Sequence, residues 1–275
     1  MALPPPAHTS HRDPGRQRSL RPARCALAGS LLLGGASLAA AGTVAAATSP
    51  PHAGIASLPA GKVLAQAEAA LKQANNVWLL GGLVENGAKF GLNIKSANRG
   101  TESAGSVDSQ SASLGFVGTL KFVETATAVY LNADSHFWNK ALAGSNLSPT
   151  VLKHVLTVIS NRWIEYTGSS AASFKTGFSK LTNPVQLAGL FAGNTGTLSK
   201  GAATVKRGQN VLPIHSSKGG TLYVALTGPP LPVELDGGSG NSGGTLLFRY
   251  PGTVNIQPPA QSETLQQLAA SIGAG

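Results

Sequence analysis

Two glycine patterns and a few histidines and carboxylates are the residues of this chain that could do chemistry. Gly238, Gly240 and Gly243 satisfy G-x-G-x-x-G. That pattern cradles a phosphate only where a strand leads in and a helix leads out, because backbone N–H groups and the helix N-terminus hold the anion. Here the residues that follow, TLLFRY, read as a strand. Gly240-Asn241-Ser242-Gly243-Gly244 also fits G-x-S-x-G, the setting of a serine nucleophile, but such an elbow again needs a helix after it. The version in chymotrypsin-like proteases carries Asp where Asn241 stands and an Ala-His-Cys segment upstream; this chain has neither. A hairpin loop between two strands accounts for the glycines. A secreted serine hydrolase using Ser242 is the third reading.

The histidines give no better signal. His52, His136, His154 and His215 show no metal-pair spacing, and neither H-x-x-x-H nor H-E-x-x-H occurs. His136 follows Asp134 by two residues, where an orienting Asp–His pair competes with a plain solvated turn. Glu124 and Glu165 sit in strand-like segments and are expected to face water. Trp78, Trp138 and Trp163 lie in apolar contexts that suit core packing first and a ligand wall second. No catalytic residue, metal site or cofactor is expected.

The front of the chain sets the compartment. Arg12, Arg16, Arg18, Arg21 and Arg24 precede an apolar run, CALAGSLLLGGASLAAAGTVAAA, and no charged residue occurs from Cys25 to Gly61. This is the layout of a secretory signal, with Ala45 and Ala47 as an A-x-A site, so cleavage is expected after Ala47. An uncleaved anchor is the alternative for residues 1–47. Cys25 opens the apolar run instead of ending it, so it is wrongly placed to accept a lipid. The chain is expected to be exported, to the cell envelope or beyond.

The chain's only cysteine lies in that signal, so a disulfide framework, a thiolate nucleophile and a cysteine metal site are excluded from the rest. Five of the 21 basic residues and one of the 11 acidic ones also lie there, which leaves a surplus of six positive charges. These are scattered and not interleaved with aromatics, which argues against nucleic acid as a partner. A weak preference for anionic membranes or glycolipid headgroups, and hence peripheral membrane contact, is compatible with them.

Residues 48–58 read as a flexible leader. The following stretch to 260 is one domain, and 261–275 forms a short terminal helix or tail. Helices are predicted after Pro59, at 135–138, from Ser148-Pro149, near 171–181 and from Asn183-Pro184, where Ser and Asn are good caps. Strands are predicted at 77–84 and 88–97 around the turn Asn86-Gly87. A polar loop covers 98–110. Further strands are SASLGFVG, TLKFV, AVYLNAD and RWIEYTG, then ATVKR, NVLPIHSS, TLYVALTG, LPVELDG, TLLFRY and TVNIQ. Segregated blocks with turn-length links argue for α+β: a large antiparallel sheet covered on one face by helices.

The phrases VLAQAEAALKQANNVWL, AVYLNADSHFWNKAL, NRWIEYTG and SSKGGTLYVALTGPPLPVELDG with GGTLLFRYPGTVNIQPP resemble actinobacterial envelope lipoproteins of the LppX/LprG type. They appear in that order across most of residues 60–260. The resemblance implies a strongly curved sheet, a half-barrel, with helices closing its concave face. It also implies a non-enzymatic protein that holds lipid or glycolipid acyl chains in a cavity and moves them across the envelope. The family's lipid-bearing Cys is missing here, which favours a soluble shuttle or an uncleaved anchor. Periodicity selects the candidate lining: Leu114, Phe116, Leu120, Phe122, Val129, Leu131, Leu152, Val155, Ile159, Leu187, Leu190 and Phe191. The alternative reading is a structural or interaction module of the envelope with a solid core. The sequence names no partner protein.

Overall fold

The computed structural model describes residues 54–85, 87–110, 117–192, 196–237 and 242–273. Pro59, extended at ψ 148°, leads into helix α1 (Ala60–Lys72), which buries Val63, Leu64, Ala67 and Leu71 at helical spacing. Ile55, within the stretch read as a leader, is buried in the same cluster. Strands β1 (Val77–Glu85) and β2 (Ala88–Ala97) follow as a hairpin. Gly87 sits there at φ +78°, a conformation that glycine adopts without penalty. Its turn partner Asn86 lies outside the described residues.

The next element corrects the sequence reading. Residues 98–110, expected as loop, contain strand β3 (Glu102–Ser109), paired along its length with β2 and with β4 (Gly118–Glu124). Its inward residues are small: Ser103, Gly105 and Val107 lie in register with Ser96, Ile94 and Leu92. An apolar alternation therefore does not show. Of the strand predicted over SASLGFVG, residues 111–116 lie outside the described residues.

β5 (Val129–Ala133) pairs with β4. Helix α2 (Ser135–Ala141) is capped by Asp134, whose Oδ1 accepts from the Phe137 N–H at 2.9 Å and Oδ2 from the Thr119 N–H at 2.8 Å. Helix α3 (Pro149–Ile159) is capped by Ser148 as expected. Then come β6 (Ile164–Tyr166), α4 (Gly168–Thr182) and α5 (Pro184–Ala192). The Asn183 Oδ1 accepts from the N–H of Val185 at 2.9 Å. The second block holds β7 (Leu198–Lys200), β8 (Thr204–Lys206), β9 (Gln209–Ser216), β10 (Thr221–Ala225), β11 (Pro232–Asp236) and β12 (Ser242–Arg249). Finally β13 (Glu263–Thr264) runs into α6 (Leu265–Gly273). The expected strand TVNIQ is irregular instead; Val254 and Ile256 lie on Ala97, Val123, Ala128 and Tyr130.

All but β8 line up in the order β13-β6-β5-β4-β3-β2-β1-β12-β11-β10-β9-β7, while β8 pairs with β9. Every pairing is antiparallel except the short parallel one between β13 and β6. The sheet is open and curved, with helices on its concave face. On that face α4 lies over β2 and β5, α2 over β4, and α1 over β7, β9 and β11, while α5 bridges α1 and α4. Period-2 alternation sends Leu79, Ile94, Phe122, Leu131 and Phe248 inward, and Trp78, Lys95 and Arg249 outward. Burying each large apolar side chain in this layer stabilises the fold by roughly 1.5–3 kcal/mol.

Candidate ligand-binding site

The structure gathers nine of the twelve predicted lining residues against one apolar cluster. Leu120, Phe122, Val129 and Leu131 rise from β4 and β5, and Ile159, Leu187 and Phe191 descend from the helices. Val155, Leu156 and Leu190 pack against the same cluster, half-buried; of these, Val155 and Leu190 were among the predicted residues. Leu152 stands apart on the wall of a surface cleft. Leu114 and Phe116 lie outside the described residues.

Sequence reasoning missed Phe174, Phe178 and Phe248, which share the same space. Phe174 and Phe178 stack at 4.3 Å between ring centres because residues four apart lie on one helix face. Phe122 meets them at 5.7 Å and 5.4 Å, and Phe191 meets Phe248 at 5.8 Å. The i, i+4 phenylalanines of SFKTGFSK, in a helix already predicted, were the available signal. Leu120 is 0 % exposed and Phe122 1 %, so the cluster is closed at its centre in this conformation.

An open cleft of about 400 Å³ lies beside the cluster, between α2 and α3. Its walls are Ser135, Pro149, Leu152, Lys153, Leu156, Thr157 and Ser160. That volume falls in the range of small-ligand sites, roughly 300–1,000 Å³. Leu156 belongs to both the cleft wall and the core boundary. The Ser160 Oγ on this wall and the Trp138 Nε1 on α2 are buried with no hydrogen-bond partner among the described residues. An orphan of this kind costs about 1–3 kcal/mol until something bonds it. A second cleft of similar size opens at the β1–β2 hairpin, where Leu83 and Phe90 line it with Lys89 and Asp108.

The polar groups that the sequence singled out have structural partners or face solvent. Glu124, expected to face water, points inward and is buried on the concave face in register with Ser103 and Val129. The Ser103 Oγ donates to its Oε2 at 2.9 Å. Burial pushes its carboxyl above the usual range, against the smaller pull of Ser103 and of Lys175 nearby. A carboxyl raised in the folded state favours the protonated form, so its contribution is greatest below the unfolded pKa and fades as pH rises through the folded one. Glu124→Gln is therefore expected to raise the thermal midpoint at neutral pH and to flatten its fall above the ordinary carboxylate range. Unfolding scans across pH check this; an unchanged profile would show that Glu124 is solvated.

Asp134 serves as the α2 cap with both oxygens bonded, so the Asp134–His136 pairing is not formed. His136, His154 and His215 are exposed. No group of three His, Cys, Asp or Glu that could hold a metal occurs among the described residues. The glycine-rich segment joins β11 to β12, and the Gly237 N–H donates to the Gly244 carbonyl at 2.7 Å. Strand β12 begins at Ser242, so the helix both motifs require is not there. Residues 238–241 lie outside the described residues. No helix among the described residues is long and apolar enough to cross a membrane.

No protein-family model and no curated protein sequence matches this chain. Solved structures do. LprF from Mycobacterium bovis is similar over 74 % of this chain and 97 % of its own, with 11 % identity and a TM-score of 0.47. The lipoprotein LppX of Mycobacterium tuberculosis is similar over 72 % and 99 %, with 13 % identity and a TM-score of 0.42. An uncharacterized conserved protein from Thermus thermophilus follows at 74 % and 98 %, 11 % identity and 0.31.

Proposed function

We propose that this chain is an exported, non-enzymatic carrier in the cell envelope. It holds lipid or glycolipid acyl chains between the concave face of its sheet and the helix layer and moves them across the envelope. One observation carries the reading: an apolar-walled cleft adjoins the buried core of the concave face through the shared residue Leu156. A hydrocarbon tail entering between α2 and α3 reaches the core by displacing α3, whose stripe is half-buried at Leu152, Val155 and Leu156 and fully buried at Ile159. Each methylene buried there gains about 0.8 kcal/mol, so a long chain is held without any catalytic group. The orphan Ser160 hydroxyl suits an ester or hydroxyl oxygen at the mouth.

Native mass spectrometry of the protein purified from its own envelope tests this. A population carrying the added mass of an acylated molecule is expected, released by organic solvent. Ligand-free mass alone, in repeated preparations, would overturn the proposal. The near-zero exposure of Leu120 and Phe122 favours a second reading, an envelope interaction module whose core is permanently filled. The two readings part on the Phe122 substitutions argued in the Discussion.

A further inference from the structure

The convex face of the sheet carries a feature that the acyl-chain reading does not use. β1 is central in the strand order, so β2, β1 and β12 form the middle, or crest, of the curved sheet. At the crest Trp78 lies in register with Lys95 on one side and Arg249 on the other. The Lys95 Nζ stands 4.7 Å from the Trp78 ring centre and the Arg249 guanidinium carbon 5.1 Å. The indole N–H donates to the Asn93 Oδ1 at 2.8 Å.

The neighbouring row places Leu80 beside Leu247, both half-buried on this open face. Lys89 and Lys121, also exposed, extend the positive charge along β2 and β4. None of these four cations is ion-paired among the described residues. Of the acids on this face, Glu234 pairs with Lys206 and Arg207. Asp108, bonded by the Thr119 hydroxyl, and Glu102 and Asp236 lie off the row of Trp78, and Glu165 stands at its far end on β6. The far end, over β4 and β5, is roofed by Val254 and Ile256, which leaves the crest as the available contact.

We propose that this crest docks on an anionic membrane surface, with Lys89, Lys95, Lys121 and Arg249 meeting the headgroup phosphates and Trp78 and Leu80 entering the interface. An indole with a satisfied N–H and cationic neighbours suits the boundary where one side is apolar and the other wet. A soluble polyanion would use the cations but not the apolar strip, and it lacks here the row of aromatics that stacks bases. The chain's own leading segment is arginine-rich and would be repelled by this face.

The test is flotation of the exported chain, cut after Ala47, with vesicles of phosphatidylcholine alone or mixed equally with phosphatidylglycerol. Tryptophan emission against brominated acyl chains is read in parallel. Binding to the anionic vesicles that falls with salt is expected, with quenching that Trp78→Phe largely removes and Trp163→Phe does not, since Trp138 is buried and Trp163 is half-buried at the far end with Ile256. Lys95→Gln and Arg249→Gln should each weaken binding about fivefold, and Lys62→Gln on α1 should not. Three results would each overturn the proposal: equal binding to both vesicle types, flotation without quenching of Trp78, or unchanged binding of the Lys95→Gln/Arg249→Gln double variant. Retention on a heparin column without flotation would assign the face to polyanions instead. None of these outcomes bears on the acyl-chain reading, which the mass measurement decides.

Discussion

Phe122→Ala is expected to remove about 3–5 kcal/mol of stability, the cost of deleting a large buried aromatic and leaving a hole. In a domain of this size each kcal/mol lowers the unfolding midpoint by about 2–4 °C. The site has little room to relax, because Phe122 is held from above by Phe174 and Phe178, and below it is fixed in register between Gly105 and Leu131. The companion Phe122→Trp separates the two functional readings. In a permanently filled core the extra ring atoms force side chains off their rotamers and cost about 1–3 kcal/mol. In a carrier whose helices part to admit a tail, the larger ring occupies the ligand's space. The acyl-bearing population seen by native mass spectrometry then falls, in addition to the overpacking cost that the closed, ligand-free form bears in either case. Loss of midpoint without any bound lipid in the parent protein would establish the solid core.

The two outcomes differ because the fold does not itself distinguish a packed interior from a closed but openable one. Leu120 and Phe122, and Val129 and Leu131, do share the inward face, as their spacing of two predicts, although the intervening Val123 and Tyr130 are themselves buried, in a second cluster with Ile256 on the other face. The caps at Ser148 and Asn183 were legible because a short polar side chain before proline has one favourable use. What could not be read was the partner surface. Phe174 and Phe178 were visible as a helix face, but nothing local says which strands that face meets. Glu124 was expected in water because a carboxylate in a strand usually is. Its inward position depends on Ser103, which donates to it from a strand that sequence polarity concealed. The short β13–β6 pair, parallel and separated by about a hundred residues, has no local signature at all.

The concealed strand supplies the second large effect. A Cβ added at Gly105 would lie 2.1 Å from the Asn93 carbonyl oxygen and 2.8 Å from the Ile94 Cα, both backbone atoms of β2. Neither can yield without opening the β2–β3 ladder, which sits between the β4–β6 strands and the rest of the sheet. Gly105→Ala is therefore expected to cost more than about 4 kcal/mol, in the range reserved for disruption of buried structure, and to sharply reduce soluble yield. Gly61→Ala is the internal contrast. It lies within α1 with nothing inside 4 Å of the new methyl, and a helical glycine replaced by alanine gains roughly 0.5–1 kcal/mol. Thermal unfolding of both variants, with amide exchange followed along β2 and β3, checks the pair. A Gly105→Ala protein as stable as its parent would mean that Gly105 does not oppose Ile94. The small-residue sequence ESAGSVDS would then be the loop its composition suggests, and the floor beneath Phe122 would have to be rebuilt.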